Sequence, residues 1–250
     1  MLSKSDIKLI RSLKDKKHRR ATGLFVVESN KSVHEVLSSK IEVKSLFATR
    51  VWTETHGKIV DKDIAMKVIS ESEMNSISML KTRGDVLALA VLPEVATSLP
   101  SPLKKFIIAL DCIQDPGNLG TIMRIADWYG ISTILYSSNT ADPFQPKVIQ
   151  ASMGSFTRVK MIECDLNKYL SSWKDVSVFG AVLNGKNLYK VKFGSTGILL
   201  IGNEGSGISD ILLSAVNIPV SIPGSGSAES LNAAIATGII CDARNREMSG

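Results

Sequence analysis

Phe106-Ile-Ile-Ala-Leu-Asp111, followed closely by Asp115-Pro-Gly-Asn118-Leu-Gly120, reads as an apolar β-like run, a turn and the start of a helix. Aspartate, proline, glycine and asparagine in succession make residues 115–118 a turn by composition. Helical spacing follows, with Leu119, Ile122, Met123, Ile125 and Ala126 apolar and Arg124 among them. The same grammar returns twice. Gly202-Asn-Glu204-Gly-Ser-Gly207 follows the run Gly197–Ile201, and Gly224-Ser-Gly-Ser-Ala-Glu229-Ser230-Leu231-Asn232 follows Ile218–Ile222. Loops between a strand and a helix are where α/β proteins hold ligands, because exposed N–H groups and bare glycines allow close approach. Three such loops in the second half of the chain point to one composite site.

Outward from these loops the alternation continues. Thr133–Tyr136 and Val176–Leu183 read as strands, and Lys147–Met153, Leu166–Ser172, Ile208–Ala215 and Leu231–Arg244 as helices. Strands alternating with helices predict a parallel sheet covered on both faces. Upstream, β-like runs at Leu24–Glu28, Ser45–Thr49, Met66–Ile69 and Val86–Leu92 are separated by helical or loop segments such as Lys31–Ser38 and Glu71–Ser78, a smaller α/β unit. Pro93, Pro100 and Pro102, with Ser98 and Ser101, read as a linker. The expected division is a first domain at 1–92, a linker at 93–103 and a second domain at 104–250.

Charge is concentrated at the start of the chain. Of 30 basic and 24 acidic residues, eight basic and two acidic fall within residues 1–20, which leaves 22 of each sign elsewhere. Residues 3–20 read as one amphipathic helix, with Ile7, Ile10 and Leu13 on one side. Lys4, Lys8, Arg11, Lys14, Lys17, Arg19 and Arg20 are candidate polyanion contacts, because a basic segment gains affinity by releasing counterions from phosphates. A solvated helix face is the plainer reading of the same residues.

Several chemistries are excluded. Cys112, Cys164 and Cys241 are widely spaced and fit reduced core side chains, and no histidine follows His56. The three loops therefore offer no histidine for a triad or a metal, and no metal is expected. A phosphate-binding P-loop lacks its Gly-Lys-Ser/Thr, and Glu204 would repel a phosphate. Glu204 better suits a neutral or cationic ligand, or an arginine held in place, with Arg124 the expected partner. A dinucleotide fingerprint at Gly224-x-Gly226 lacks its third glycine and the strand and acid that should follow. The start of the chain lacks an apolar signal region, and no apolar run approaches the roughly 18–20 residues that span a bilayer. The expected location is cytoplasmic, with no membrane partner.

Together the loops resemble the three signature motifs of the SpoU/TrmH family of RNA ribose 2′-O-methyltransferases, in the SPOUT superfamily. The first matches through Asn118, Gly120, Arg124, Ala126 and Gly130, the second through Gly202, Glu204 and Gly207, and the third through Ile222, Pro223, Ser230, Leu231 and Asn232. Phe25-Val-Val-Glu-Ser-Asn-Lys-Ser-Val more weakly resembles the opening of the family's substrate-binding domain. Two departures are Glu28-Ser29, where the family often has Glu-Gly, and Gly224, where it often has methionine.

The resemblance implies an α/β fold: a parallel-sheet SPOUT domain with a trefoil knot, preceded by a small RNA-binding α/β domain. It implies a homodimer and S-adenosylmethionine held mainly by backbone around Leu183, Asn184, Gly185, Ile201, Gly202, Ile222 and Leu231. It implies ribose 2′-O-methylation with Arg124 as the proton acceptor; our narrower reading is that Arg124 contacts the reacting nucleotide while Asn118, Glu204, Ser230 and Asn232 hold it and the ribose in place. The extra N-terminal domain favours ribosomal RNA over transfer RNA. A non-catalytic RNA-binding protein and a resistance-conferring methyltransferase are the alternatives.

Overall fold

The computed structural model describes residues 2–94, 96 and 98–249. Residues 95 and 97 of the expected linker lie outside them. By contact the chain forms two units, Met1–Glu94 with Asp142–Thr157, and Val95–Ala141 with Arg158–Gly250.

The first unit is a four-stranded sheet in the order β1-β4-β2-β3, where β1 is Leu24–Glu28, β2 Val43–Thr49, β3 Ala65–Ile69 and β4 Val86–Val91. β4 runs antiparallel to β1 and β2, while β2 and β3 are parallel. Val26, Phe47, Leu87 and Leu89 meet Ile10 and Leu13 from the N-terminal helices and Met74 and Ile77 from a later helix in one buried cluster.

The basic helix expected over 3–20 is two helices, α1 (Lys4–Ser12) and α2 (Lys16–Thr22). Ser3 and Asp6 close a capping box on α1, and the Asp15 carboxylate accepts from Lys17 N at 2.8 Å to start α2. Both acids of this segment thus sit at helix starts. α3 (Asn30–Leu37) and α5 (Glu71–Ile77) follow the sequence pattern. α4 (Arg50–His56) was hidden by its threonines and lack of apolar period, and is started by Thr49 and stopped at Gly57.

Residues 142–157, sequence neighbours of the second domain, pack with the first unit. Phe144 and Phe156 meet Phe25 edge-on at centroid distances of 5.1 and 6.0 Å, and Arg19 pairs with Asp142 at 3.2 Å. This segment carries α7 (Pro146–Ser152). Aromatic burial, which linear order does not encode, decides its allegiance.

The second unit is a six-stranded, wholly parallel sheet in the order β10-β8-β9-β5-β6-β7. Its strands are β5 (Phe106–Leu110), β6 (Thr133–Tyr136), β7 (Lys160–Glu163), β8 (Val178–Asn187), β9 (Gly197–Ile201) and β10 (Ile218–Ser221). β7 is a polar edge strand with only Ile162 buried, which is why apolar patterning passes over it. One sheet face, with Ile107, Ala109, Leu135, Ile198 and Leu200, is covered by α8 (Leu166–Ser171) and the short α9 (Asp210–Leu213). On the other face, the Arg244 guanidinium of α10 (Ala233–Ser249) lies 4.2 Å over the Phe106 ring. There α10 runs beside α6 (Pro116–Trp128), and Tyr129, next in chain, donates to Asp242 at 3.4 Å. Burial pushes the Cys164 thiol up to about 11 and the Cys241 thiol up to about 12, which keeps both from thiolate chemistry.

Candidate functional site

Leu110, Tyr136 and Ile201 stand in register at the C-terminal edge of the parallel sheet. The edge is closed by backbone bonds, Asp111 N to Ile201 O at 2.8 Å and Ser137 N to Leu110 O at 3.0 Å. The buried Asp111 carboxylate accepts from Ser209 N at 2.8 Å and so ties the far end of the second loop to the same edge.

In the first loop Asp115 is the helix cap, accepting from Asn118 N at 2.8 Å, and Pro116 fits the first helical position, where no N–H bond is lost. This frees the Asn118 side chain. Its Nδ2 donates to Glu204 Oε1 at 2.6 Å, and its Oδ1 accepts from Asn232 Nδ2 at 2.8 Å. Asn232 Oδ1 in turn caps α10, accepting from Ala234 N at 2.9 Å and Ile235 N at 3.2 Å. A carboxylate accepts only and an amide N–H donates only, so the orientation of both asparagines follows from the chain of contacts. One side-chain line thereby joins all three loops, with Asn118 at its centre.

Glu204 does not pair with Arg124, contrary to the sequence expectation. Arg124 lies six residues beyond Asn118 on α6, roughly 9 Å along the axis and about 240° around it. It is exposed and makes no hydrogen bond or ion pair among the described residues. Ser230 is likewise exposed without a hydrogen bond.

The proposed cofactor residues fall into two groups. β8 pairs with β10 through Phe179 and Gly180, then again through Lys186 and Asn187, so residues 181–185 have no partner in β10. Leu183 and Asn184 are exposed there, and Leu183 O accepts from Ser221 Oγ at 2.7 Å. Gly185 lies so close to β10 that an added Cβ would stand 2.7 Å from the Pro219 carbonyl carbon. Ile201 is buried at its strand end, and a Cβ on Gly202 would lie 2.2 Å from the Gly207 backbone, so the second loop closes only around glycine. From Ile222 to Leu231 no residue makes a hydrogen bond to another described residue, and residues 223–232 are exposed. The main-chain groups of this exposed stretch are left to solvent and open to approach. A side chain at Gly224 would meet nothing within 4 Å, so the missing methionine there answers no backbone demand.

Of the basic candidates, Lys4, Lys8, Lys14 and Lys17 are exposed and unpaired among the described residues. Arg20 is exposed, and Arg11 donates through Nε to Ser76 O at 2.8 Å. Arg19 is corrected. It is 2% exposed and donates to Leu13 O at 2.7 Å and Lys14 O at 2.8 Å, so it braces the helix junction instead of facing solvent. No group of three or more histidines, cysteines or acids placed for a metal occurs among the described residues, and no described helix is long and apolar enough to cross a membrane. Sequence reading missed Asn203, which Glu204 adjoins. Its only signal was an amide inside a loop bounded by glycines.

A parallel α/β unit with three polar loops joined at its strand ends, and a separate mixed-sheet unit bearing unpaired lysines, defines a two-domain protein with a composite site at the sheet edge. The chain belongs to the SpoU rRNA Methylase family, whose model matches residues 105–242, and an MRM3-like substrate binding domain model matches residues 4–88. It is 30% identical over 238 residues to the 23S rRNA (guanosine(2553)-2′-O)-methyltransferase RlmP of Bacillus subtilis, covering 92% of both chains. A Porphyromonas gingivalis protein assigned to the TrmH family of RNA methyltransferases superposes with a TM-score of 0.87 at 36% identity, covering 98% of this chain and 99% of that one. An AdoMet-bound rRNA methyltransferase from Sinorhizobium meliloti superposes with a TM-score of 0.83 at 29% identity, covering 99% and 97%.

Proposed function

We propose that the protein transfers a methyl group from S-adenosylmethionine to a ribose 2′-OH of ribosomal RNA. The observation that carries this is the line Asn232–Asn118–Glu204, with contacts of 2.8 and 2.6 Å, which links the three loops and leaves Arg124 unpaired. Family membership and the activity borne in the relatives' names support the same reading. A binder that had lost its chemistry would have no need to keep this line intact.

The cofactor supplies an electrophilic methyl group. Leu183, Asn184, Gly185, Gly202, Ile222 and Leu231 would hold it, chiefly through main-chain groups of the bulged 181–185 segment and the open 222–231 loop. Transfer requires the 2′-OH to lose its proton as its oxygen attacks, and aligning oxygen with methyl supplies much of the rate. Arg124 has its five donors available for the phosphate or ribose of the reacting nucleotide. A guanidinium is a poor base, so a substrate phosphate or a neighbour such as Ser230 must redistribute its protons before Arg124 can accept one. Glu204 keeps Oε2 available for a ribose hydroxyl, its nearest donor being Asn203 Nδ2 at 3.5 Å.

The exposed lysines of α1 and α2 supply the electrostatic contact to RNA. Trp128 of α6 is 83% exposed and Ile235 of α10 is 56% exposed, which supports a homodimer formed through these helices. We place the protein in the cytoplasm with the RNA it modifies, and the crowded glycines at 185 and 202 suit a knotted chain. Arg124→Ala tests the site. Methyl transfer to a ribosomal RNA transcript should fall about 10²–10³-fold, while calorimetric S-adenosylmethionine affinity stays unchanged. Transfer that survives at the original rate would remove Arg124 from the chemistry, and mapping 2′-O-methyl sites in cells with and without the gene would identify the nucleotide.

A further inference from the structure

Asn203 stands between the motif residues Gly202 and Glu204, and its side chain does two things at once. Oδ1 accepts from Gly205 N at 2.9 Å, Ser206 N at 3.1 Å and Ser206 Oγ at 3.3 Å, which closes the second loop on itself. Nδ2 donates to Cys112 O at 2.8 Å, which fastens that loop to the turn between β5 and α6. Its backbone exchanges two 2.9 Å hydrogen bonds with Gly207. Cys112 has φ +59°, a left-handed conformation that side-chain-bearing residues rarely adopt. Its N–H donates to Ser137 Oγ at 2.9 Å, so β6 braces the turn from the other side. The turn held this way leads into the start of α6, where Asn118 meets Glu204.

We propose that Asn203 is a positioning residue for methyl transfer, acting through Glu204 and the Cys112 turn to fix the Asn118–Glu204 contact. The inference rests on the methyltransferase reading above. Only an asparagine meets the geometry: Oδ1 needs a group that accepts from three donors, and Nδ2 one that donates to a carbonyl. Aspartate has the same shape and keeps the acceptor, but when ionised it loses the donor and sets a second carboxylate beside Glu204.

The test is Asn203→Asp in the full-length protein, with methyl transfer measured against wild type at neutral pH. There kcat should fall about 100-fold, with KM for S-adenosylmethionine unchanged. An unchanged kcat, or a deficit carried by the cofactor KM alone, overturns the proposal. Should this variant not fold, Ser137→Ala loosens the Cys112 turn while leaving Asn203 intact. It should lower kcat several-fold with KM for S-adenosylmethionine unchanged, and an unchanged kcat likewise overturns the proposal. Wild-type protein that transfers no methyl group at any pH would instead defeat the parent reading.

Discussion

Each unit contains an arginine and a glutamate that the sequence marks out, and the two pairs have opposite fates. In the first unit Arg19 and Glu28 are 2% and 4% exposed and bond to their own surroundings. Arg19 holds two main-chain carbonyls and Asp142, and Glu28 accepts from Met79 N at 2.8 Å and Ser78 Oγ at 2.7 Å. Burial raises the Glu28 carboxyl above its usual range, an unfavourable ionisation that the two donors partly offset. In the second unit Arg124 is exposed without a partner among the described residues, while Glu204 bonds to an asparagine of another loop. A polar residue serves architecture when its bonds end on nearby backbone, and chemistry when they leave a group facing outward. Residue type alone does not separate the two.

The strongest way to break this contrast is Arg19→Ala. It leaves two carbonyls without their donor and Asp142 with the Phe144 N–H alone, so urea denaturation should show a loss of about 3 kcal/mol. A loss under about 1 kcal/mol would mean that Arg19 is no more structural than its exposed neighbours.

The complementary substitution sharpens the other side. Replacing Lys4, Lys8, Lys14 and Lys17 together by glutamine should leave stability nearly unchanged and weaken binding to a ribosomal RNA transcript. The slope of log affinity against log salt should become shallower by about 3, from roughly 0.7 per phosphate contact on single strands. An unchanged slope would return these lysines to a solvated helix face. Removing residues 1–20 outright is a poorer experiment, because Ile10, Leu13 and Arg19 belong to the buried interior.

The smallest effect concerns Ser29. It has φ +86° and ψ +147°, a region suited to glycine, where the family often places one. Ser29→Gly should stabilise the protein by about 1 kcal/mol, since the relieved strain exceeds the few tenths lost by replacing a serine cap with glycine. A lower melting temperature would show that the Ser29 hydroxyl, 3.4 Å from Ser32 N, outweighs the backbone strain. The family departure at this position thus reads first as a local backbone matter of the first unit.

Much was legible because it is local. Apolar runs of β-branched residues, helical spacing and loop composition located nine of the ten strands among the described residues and the three motif loops, each within a few residues. What failed depended on partners distant in sequence. Asn118 reads as a turn residue, yet Asp115 takes the cap and releases it. Glu204 invites an arginine, yet meets an asparagine 86 residues away. Residues 142–157 follow β6 in the chain, yet two phenylalanines draw them to Phe25.

The sequence by itself determined the alternation of strands and helices, the three glycine-rich loops and the basic start of the chain. These follow from backbone preference, apolar periodicity and charge, which act over a few residues. Only the tertiary structure decided which polar groups meet. The parallel sheet brings the ends of β5, β6 and β9 to one edge, and hydrogen bonds of fixed direction then select Asn118, Glu204 and Asn232 as one line, with Asn203 bracing it. Selection of that kind depends on distances set by folding, and no spacing along the chain encodes it.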